Sequence, residues 1–250
     1  MNTTTHTITM QPRFLWFLML CYTMAMVLAN WFDPRLIHIF GLNTDAGALI
    51  FPLTFLFADL ITEIYGYKHT RRAIWCGFLF NILFLIYGQI VIHLPSPSYA
   101  THNEIFNDLM TMDGRIILGS IVSYFLAEPL NAIILAKLKI KMQGKAVGSR
   151  YVLSTFIAAG FDSVFFSTIA FYGMMSNNNL VEFIITLWFI KVAVEILGLP
   201  ISLPLTKKLK RLEGLDIYDK HTKFNFLSLE GDYSSEDNLL EGEANSPSSD

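Results

Sequence analysis

Six stretches of this chain, at about 14–32, 46–65, 72–93, 115–137, 151–174 and 182–205, are continuous apolar runs of the length a membrane-crossing helix requires. They are unbroken rather than alternating with period two, which excludes a transmembrane barrel. Inside a bilayer the backbone must satisfy its own hydrogen bonds, so such runs fold as helices. Composition agrees: 53% of residues are hydrophobic and 16% charged, against about 25% charged in an average soluble domain. The expected fold is all-α, a polytopic bundle of six transmembrane helices over residues 14–211. A short cytoplasmic segment, 1–13, precedes it. An acidic tail, 212–250, follows it and is expected to be structureless and solvated.

Lys and Arg orient the bundle. They gather after the second span (Lys68, Arg71, Arg72), after the fourth (Lys137, Lys139, Lys141, Lys145, Arg150) and after the sixth (Lys207, Lys208, Lys210, Arg211). The first connection has Arg35 alone, and 94–114 and Ser176–Val181 have none. Both termini are therefore expected in the cytoplasm. No cleavage pattern follows the first apolar run, which reads as a retained span rather than a secretory signal. Cys21 and Cys76 lie in apolar runs with no spacing partner and read as packing residues. His93 and His102 share a long external connection but lack metal-ligand spacing, so no metal site and no cofactor are expected. A net charge of −3 argues against nucleic acid as a partner.

Charges at membrane depth single out the functional region. An ionised side chain there costs roughly 2.5–3.5 kcal/mol on insertion scales and is retained where it faces a protein interior or a ligand. At 1.5 Å per residue, Asp162 falls at the centre of span five, Asn81 at the centre of span three, and Lys191 and Glu195 bracket the centre of span six. Glu128 and Asn131 lie just past the centre of span four, and Asn30 closes span one externally. Asp59 sits about 6 Å cytoplasmic of the centre of span two, with Glu63 nearer the inner interface. Lys191 could pair with Glu195 along one helix or with Asp162 across an interface, and Glu63 could reach headgroups or Lys68. Such pairs leave four carboxylates (Asp59, Glu128, Asp162, Glu195) facing one ammonium, a surplus that a cationic or donor-rich ligand would match.

Pro52, Pro129, Pro200 and Pro204 each remove a helix hydrogen bond, either as packing kinks or to free backbone groups that line a cavity. No His-Glu-x-x-His, Gly-x-Ser-x-Gly or Walker loop occurs, so no enzyme chemistry is expected.

In four places the residues resemble the bacterial queuosine precursor transporter family, six-span proteins also described as vitamin-uptake-like. Span one ends in Ala29-Asn30. Span two has Gly47, Phe51-Pro52, Phe55, Asp59, Glu63 and Tyr65-Gly66. Span five has Phe161-Asp162-Ser163 and then Ala170-Phe171, and span six has Lys191 followed by Pro200. One departure stands out: the family's Gln followed three residues later by Asp is replaced in span four by Glu128-Pro129-Leu130-Asn131.

The resemblance implies an inner-membrane importer of a 7-deazaguanine: the 7-cyano form, the 7-aminomethyl form or queuine. A guanine edge presents two parallel donors that one carboxylate can accept, and its carbonyl suits a Lys or an amide. On that reading Asp59 or Asp162 takes the donor edge and Lys191 takes the carbonyl or holds an aspartate. Asn30, Asn81 and Glu128 orient the base, Glu195 adds to the acidic surplus, and Glu63 serves as a gate or interface group. The partners are the base and the bilayer, with a homo-oligomer left open. The alternatives are a substrate-binding subunit of an energy-coupled importer and, behind it, a membrane-embedded enzyme.

Overall fold

Each apolar run folds as a helix, and each helix buries one stripe while presenting large apolar side chains outward. In α1 (Leu15–Phe32) the stripe Leu15, Leu18, Tyr22, Ala25, Met26, Ala29 and Asn30 faces inward, whereas Trp16, Phe17, Leu20 and Met24 are exposed. Exposed apolar side chains in such numbers are stable only against lipid. The structure, a computed structural model, describes residues 12–239 apart from positions 40, 98, 112, 113 and 229.

After α1 the chain makes an antiparallel hairpin, β1 (Leu36–Ile39) and β2 (Leu42–Asp45), turning through Gly41 at φ +80°. An all-α reading did not anticipate it. The alternating Leu-Ile-His-Ile strand is too short to stand out beside the apolar runs. A 3-10 turn at Gly47–Leu49 then leads into α2 (Pro52–Tyr65), where Pro52 occupies the first turn and loses no helix hydrogen bond there. Gly66, at φ +83°, makes the corner into α3 (Tyr67–Ile92).

The connection at 94–114 contains a short amphipathic helix, α4 (Asn103–Met110). Then come α5 (Gly114–Lys141), α6 (Val147–Phe171) and α7 (Asn177–Glu213), the last capped by the Ser176 hydroxyl and stopped at Gly214 in the left-handed region. α5 runs through Pro129, and α7 through Pro200 and Pro204, as single helices. Five described helices are long and apolar enough to cross a membrane: α1, the Gly47–Tyr65 segment containing α2, α3, α5 and α6. The sixth expected run lies within the 37 residues of α7, where Glu182, Lys191 and Glu195 interrupt it.

The tail departs from expectation. Residues 214–239 do not float in solvent but strap the ends of α2, α3 and α5. Ile217 and Tyr233 are buried, and Phe226 stacks on Trp75 with ring centroids 5.0 Å apart. Arg71 donates to the carbonyls of Asn225 (2.6 Å) and Glu230 (2.5 Å). The Tyr233 hydroxyl accepts from the Lys68 amide and donates to Asp219. Low average hydropathy concealed five well-spaced apolar anchors, Ile217, Tyr218, Phe224, Phe226 and Tyr233. The expected segment 1–13 lies almost wholly outside the described residues, as do the last eleven of the tail.

Candidate functional site

A polar pocket opens where α1, the hairpin, α5, α6 and α7 meet. Its internal volume is about 20 Å³, room for about one water molecule, so in this conformation it is a tight polar recess rather than an open ligand cavity. Its polar lining is Asn30, Asp33, Asp45, Ser120, Ser123, Asp162 and Lys191, and Phe51 and Phe166 supply aromatic walls. Helix spacing accounts for the convergence. Ser120 and Ser123 share a face of α5, and Asp162 and Phe166 are one turn apart on α6.

Lys191 resolves the choice left open by the sequence: its ammonium bonds Asp162 Oδ2 on α6 rather than Glu195 on its own helix. The same ammonium lies 4.3 Å from the centre of the Phe51 ring, a cation–π contact that further spreads its charge. Among the described residues, Asp162 Oδ1 and Asn30 Nδ2 are buried without a hydrogen-bond partner. Both residues line the recess, which thus holds one unpartnered acceptor and one unpartnered donor. A narrower recess continues past Asn30 and Asp33 to Asn81, whose Oδ1 is likewise unpartnered.

Asp59, Glu128 and Glu195 lie outside this lining, in a second acidic layer deeper in the bundle. Asn131 donates to Asp59 Oδ1 at 2.6 Å, and Thr54 donates to Glu128 Oε1 at 2.7 Å. The exchanged acid and amide of span four are therefore both in use, Glu128 against α2's Thr54 and Asn131 against Asp59. Tyr22 and Tyr124 bond one another at 2.9 Å beside Glu128. Among the described residues, both oxygens of Glu195 lack a hydrogen-bond partner, as does Asp59 Oδ2. Asp59 lies within electrostatic reach of Glu195, Glu128 and Glu63.

Glu63 belongs to neither layer. Arg150 grips it with both terminal nitrogens, at 2.6 and 3.0 Å, and Lys210 adds a third bond at 2.6 Å. Lys139 lies 3.9 Å away and bonds Asp216 at 2.6 Å. The expected partners, headgroups or Lys68, are wrong for a steric reason. Gly66 turns α3 away, and Lys68 reaches the Asp232 carbonyl instead. Arg150 and Lys210 thus take three of the roughly four acceptor sites of Glu63, giving it protein cations as partners. Arg71, Lys139 and Arg150, which oriented the sequence, are themselves buried in this end of the molecule.

Sequence reasoning missed Asp33 and Asp45. Both flank the first connection, just beyond the apolar runs, so a search by membrane depth passed over them. The signal available was a pair of carboxylates on either side of a short hairpin-forming segment. Among the described residues, no cluster of three or more His, Cys, Asp or Glu is arranged to hold a metal.

Comparison with known proteins gives three findings. Residues 45–204 match the model of a family described as "Putative vitamin uptake transporter". A protein of Bacillus subtilis (strain 168) named "Probable queuosine precursor transporter" is 26% identical over 181 residues, covering 70% of this chain and 77% of that protein. No solved structure matches the chain.

Proposed function

Because the chain belongs to the vitamin uptake transporter family, a group of transporters and not enzymes, we propose that it imports a 7-deazaguanine precursor of queuosine. The observation that carries this reading is the pairing of two unsatisfied buried groups in one aromatic-walled pocket, Asp162 Oδ1 and Asn30 Nδ2. A guanine edge supplies adjacent N–H donors for a carboxylate and a carbonyl for an amide or ammonium. Each buried group left unpaired costs about 1–3 kcal/mol, a cost that a base of this pattern removes on binding. The Bacillus subtilis relative, by its name, acts on the same class of compound.

On this reading Asp162 accepts from the donor edge, Lys191 holds Asp162 in place, and Asn30 and Asn81 orient the carbonyl side. Phe51 and Phe166 flank the rings. A bowl between the hairpin and the start of α7, lined by His38, Asn43, Thr44 and Glu182, serves as the external entrance. Asp59, Glu128 and Glu195 form the next station on the way in. α7 provides the sixth span, both termini are cytoplasmic, and the chain resides in the inner membrane. The strap of residues 214–239 then lies on the cytoplasmic side.

The test is uptake in cells that cannot synthesise the precursor, read out as queuosine in transfer RNA. Asp162→Asn and Asp59→Asn variants that insert normally are expected to lose most of the import. Wild-type import by both would contradict the assignment of the site. Transport by the purified chain alone separates this reading from that of an obligate subunit.

A further inference from the structure

Two carboxyl groups of the pocket remain unused by the guanine moiety. Asp33 follows the last turn of α1, where its amide bonds the Ala29 carbonyl. The C-terminal end of a helix carries partial negative charge, so a carboxylate gains nothing there from the helix itself. Asp45 ends β2, and its Oδ1 accepts from the Ala48 amide at 2.6 Å. The two carboxyl groups line the same recess and act on one another electrostatically. Both are held above the ordinary carboxylate range, first by burial. The other charged groups facing them are Asp162 from α6 and Lys191 from α7. Lys191 is already engaged by Asp162.

The local backbone preserves this approach. Gly47 lies so close to Asp33 Oδ1 and the Ala29 carbonyl that any added side-chain carbon would collide with both. That the space receives a ligand is indicated independently of the acids. Asn30 and Asp162 are only 7% and 2% exposed, and each lines this recess and carries a buried polar atom with no hydrogen-bond partner among the described residues.

We propose that Asp33 and Asp45 together receive the protonated amine of a 7-substituted deazaguanine, so that the pocket selects amine-bearing bases over the neutral 7-cyano base. The inference rests on the reading of the protein as a deazaguanine importer. A protonated amine brings a positive charge and several N–H donors to two neighbouring carboxyls. Binding is by ion pairing and hydrogen bonding, and no covalent bond changes. A nitrile carries only an acceptor and meets two acceptors. The 7-aminomethyl base and queuine share the amine and differ in what lies beyond it.

The experiment is exchange by the full chain reconstituted in proteoliposomes. Labelled 7-aminomethyl-7-deazaguanine is competed by unlabelled aminomethyl base, queuine and 7-cyano base. The wild type is expected to favour the aminomethyl base over the cyano base by about tenfold or more, the scale of one charge-assisted hydrogen bond. Competition by queuine at the level of the aminomethyl base extends the selection to substituted amines, and failure of queuine alone confines it to the primary amine. Asp33→Asn and Asp45→Asn, checked for folding by thermal unfolding in detergent, are expected to reduce the preference to about threefold or less. Equal competition by amine and nitrile in the wild type would overturn the proposal whatever the variants do. So would a preference that both variants retain. Exchange of none of the three bases would instead overturn the importer reading on which the proposal rests.

Discussion

Lys191 can compensate one carboxylate, and it is spent on Asp162. Removing one partner of a buried ion pair costs about 3–5 kcal/mol, because the other is left charged and unpaired. Lys191→Met is therefore expected to lower the unfolding temperature in detergent. The double variant Lys191→Met with Asp162→Asn is expected to recover much of that loss, since no net charge is then buried. Uptake should stay absent in both, and a double variant that regains stability and uptake together would remove the pair from the site. Asp33 and Asp45 make a separate prediction about pH. Burial raises both, and the neighbouring charge of Asp45 raises Asp33 further, so both carboxyls hold a proton more tightly than ordinary ones. Affinity for an amine-bearing base should fall as pH falls through these raised values, as the carboxyls become neutral. Affinity for the 7-cyano base should not follow it. Competition measured across acidic and neutral pH checks the difference.

Among the elements, the strap is the one most at variance with expectation. It holds Arg71, closes the corner at Gly66 and brings Asp216 to Lys139 and Lys210. A chain ending after Glu213 would strip partners from buried cations and uncover Trp75, Tyr67 and Ile64. It is expected to unfold at lower temperature, and Tyr233→Phe should reproduce part of the effect, about 1–3 kcal/mol for the Asp219 and Lys68 bonds left unmade. Thermal unfolding of the three proteins side by side measures this, and equal stability would show the strap to be dispensable.

The helices were legible in the sequence because twenty apolar residues in a row have one stable fate in lipid. The partner of Lys191 was narrowed to two candidates, of which tertiary packing selected Asp162. Three things were not legible. The strap's anchors are separated by polar residues and bury against other elements, so no local pattern marks them. Asp33 and Asp45 are brought over the pocket by a hairpin only four residues per strand. Glu63 was expected to reach headgroups or nearby Lys68, yet its cations come from α5, α6 and α7, more than 70 residues away.

At the scale of the whole molecule, the layers of polar groups lie in order along the bundle. They run from the bowl at the hairpin through the Asp162–Lys191 pocket and the Asp59–Glu128–Glu195 layer to the Glu63 cluster and the strap. That order describes a path only if the hairpin faces outward and the strap inward. Single cysteines placed at Asn178 and Tyr99 in a variant with Cys21 and Cys76 replaced should react with an impermeant thiol reagent in whole cells. One at Leu227 should react only after permeabilisation, and the reverse pattern would invert the proposed orientation.

The most direct measurement of the central claim is counterflow of a labelled 7-deazaguanine into proteoliposomes containing this chain alone. The account predicts saturable accumulation by the wild type and loss of most of it in Asp162→Asn protein that is folded and inserted. Absence of exchange by folded wild-type protein, or exchange undiminished by Asp162→Asn, would contradict it.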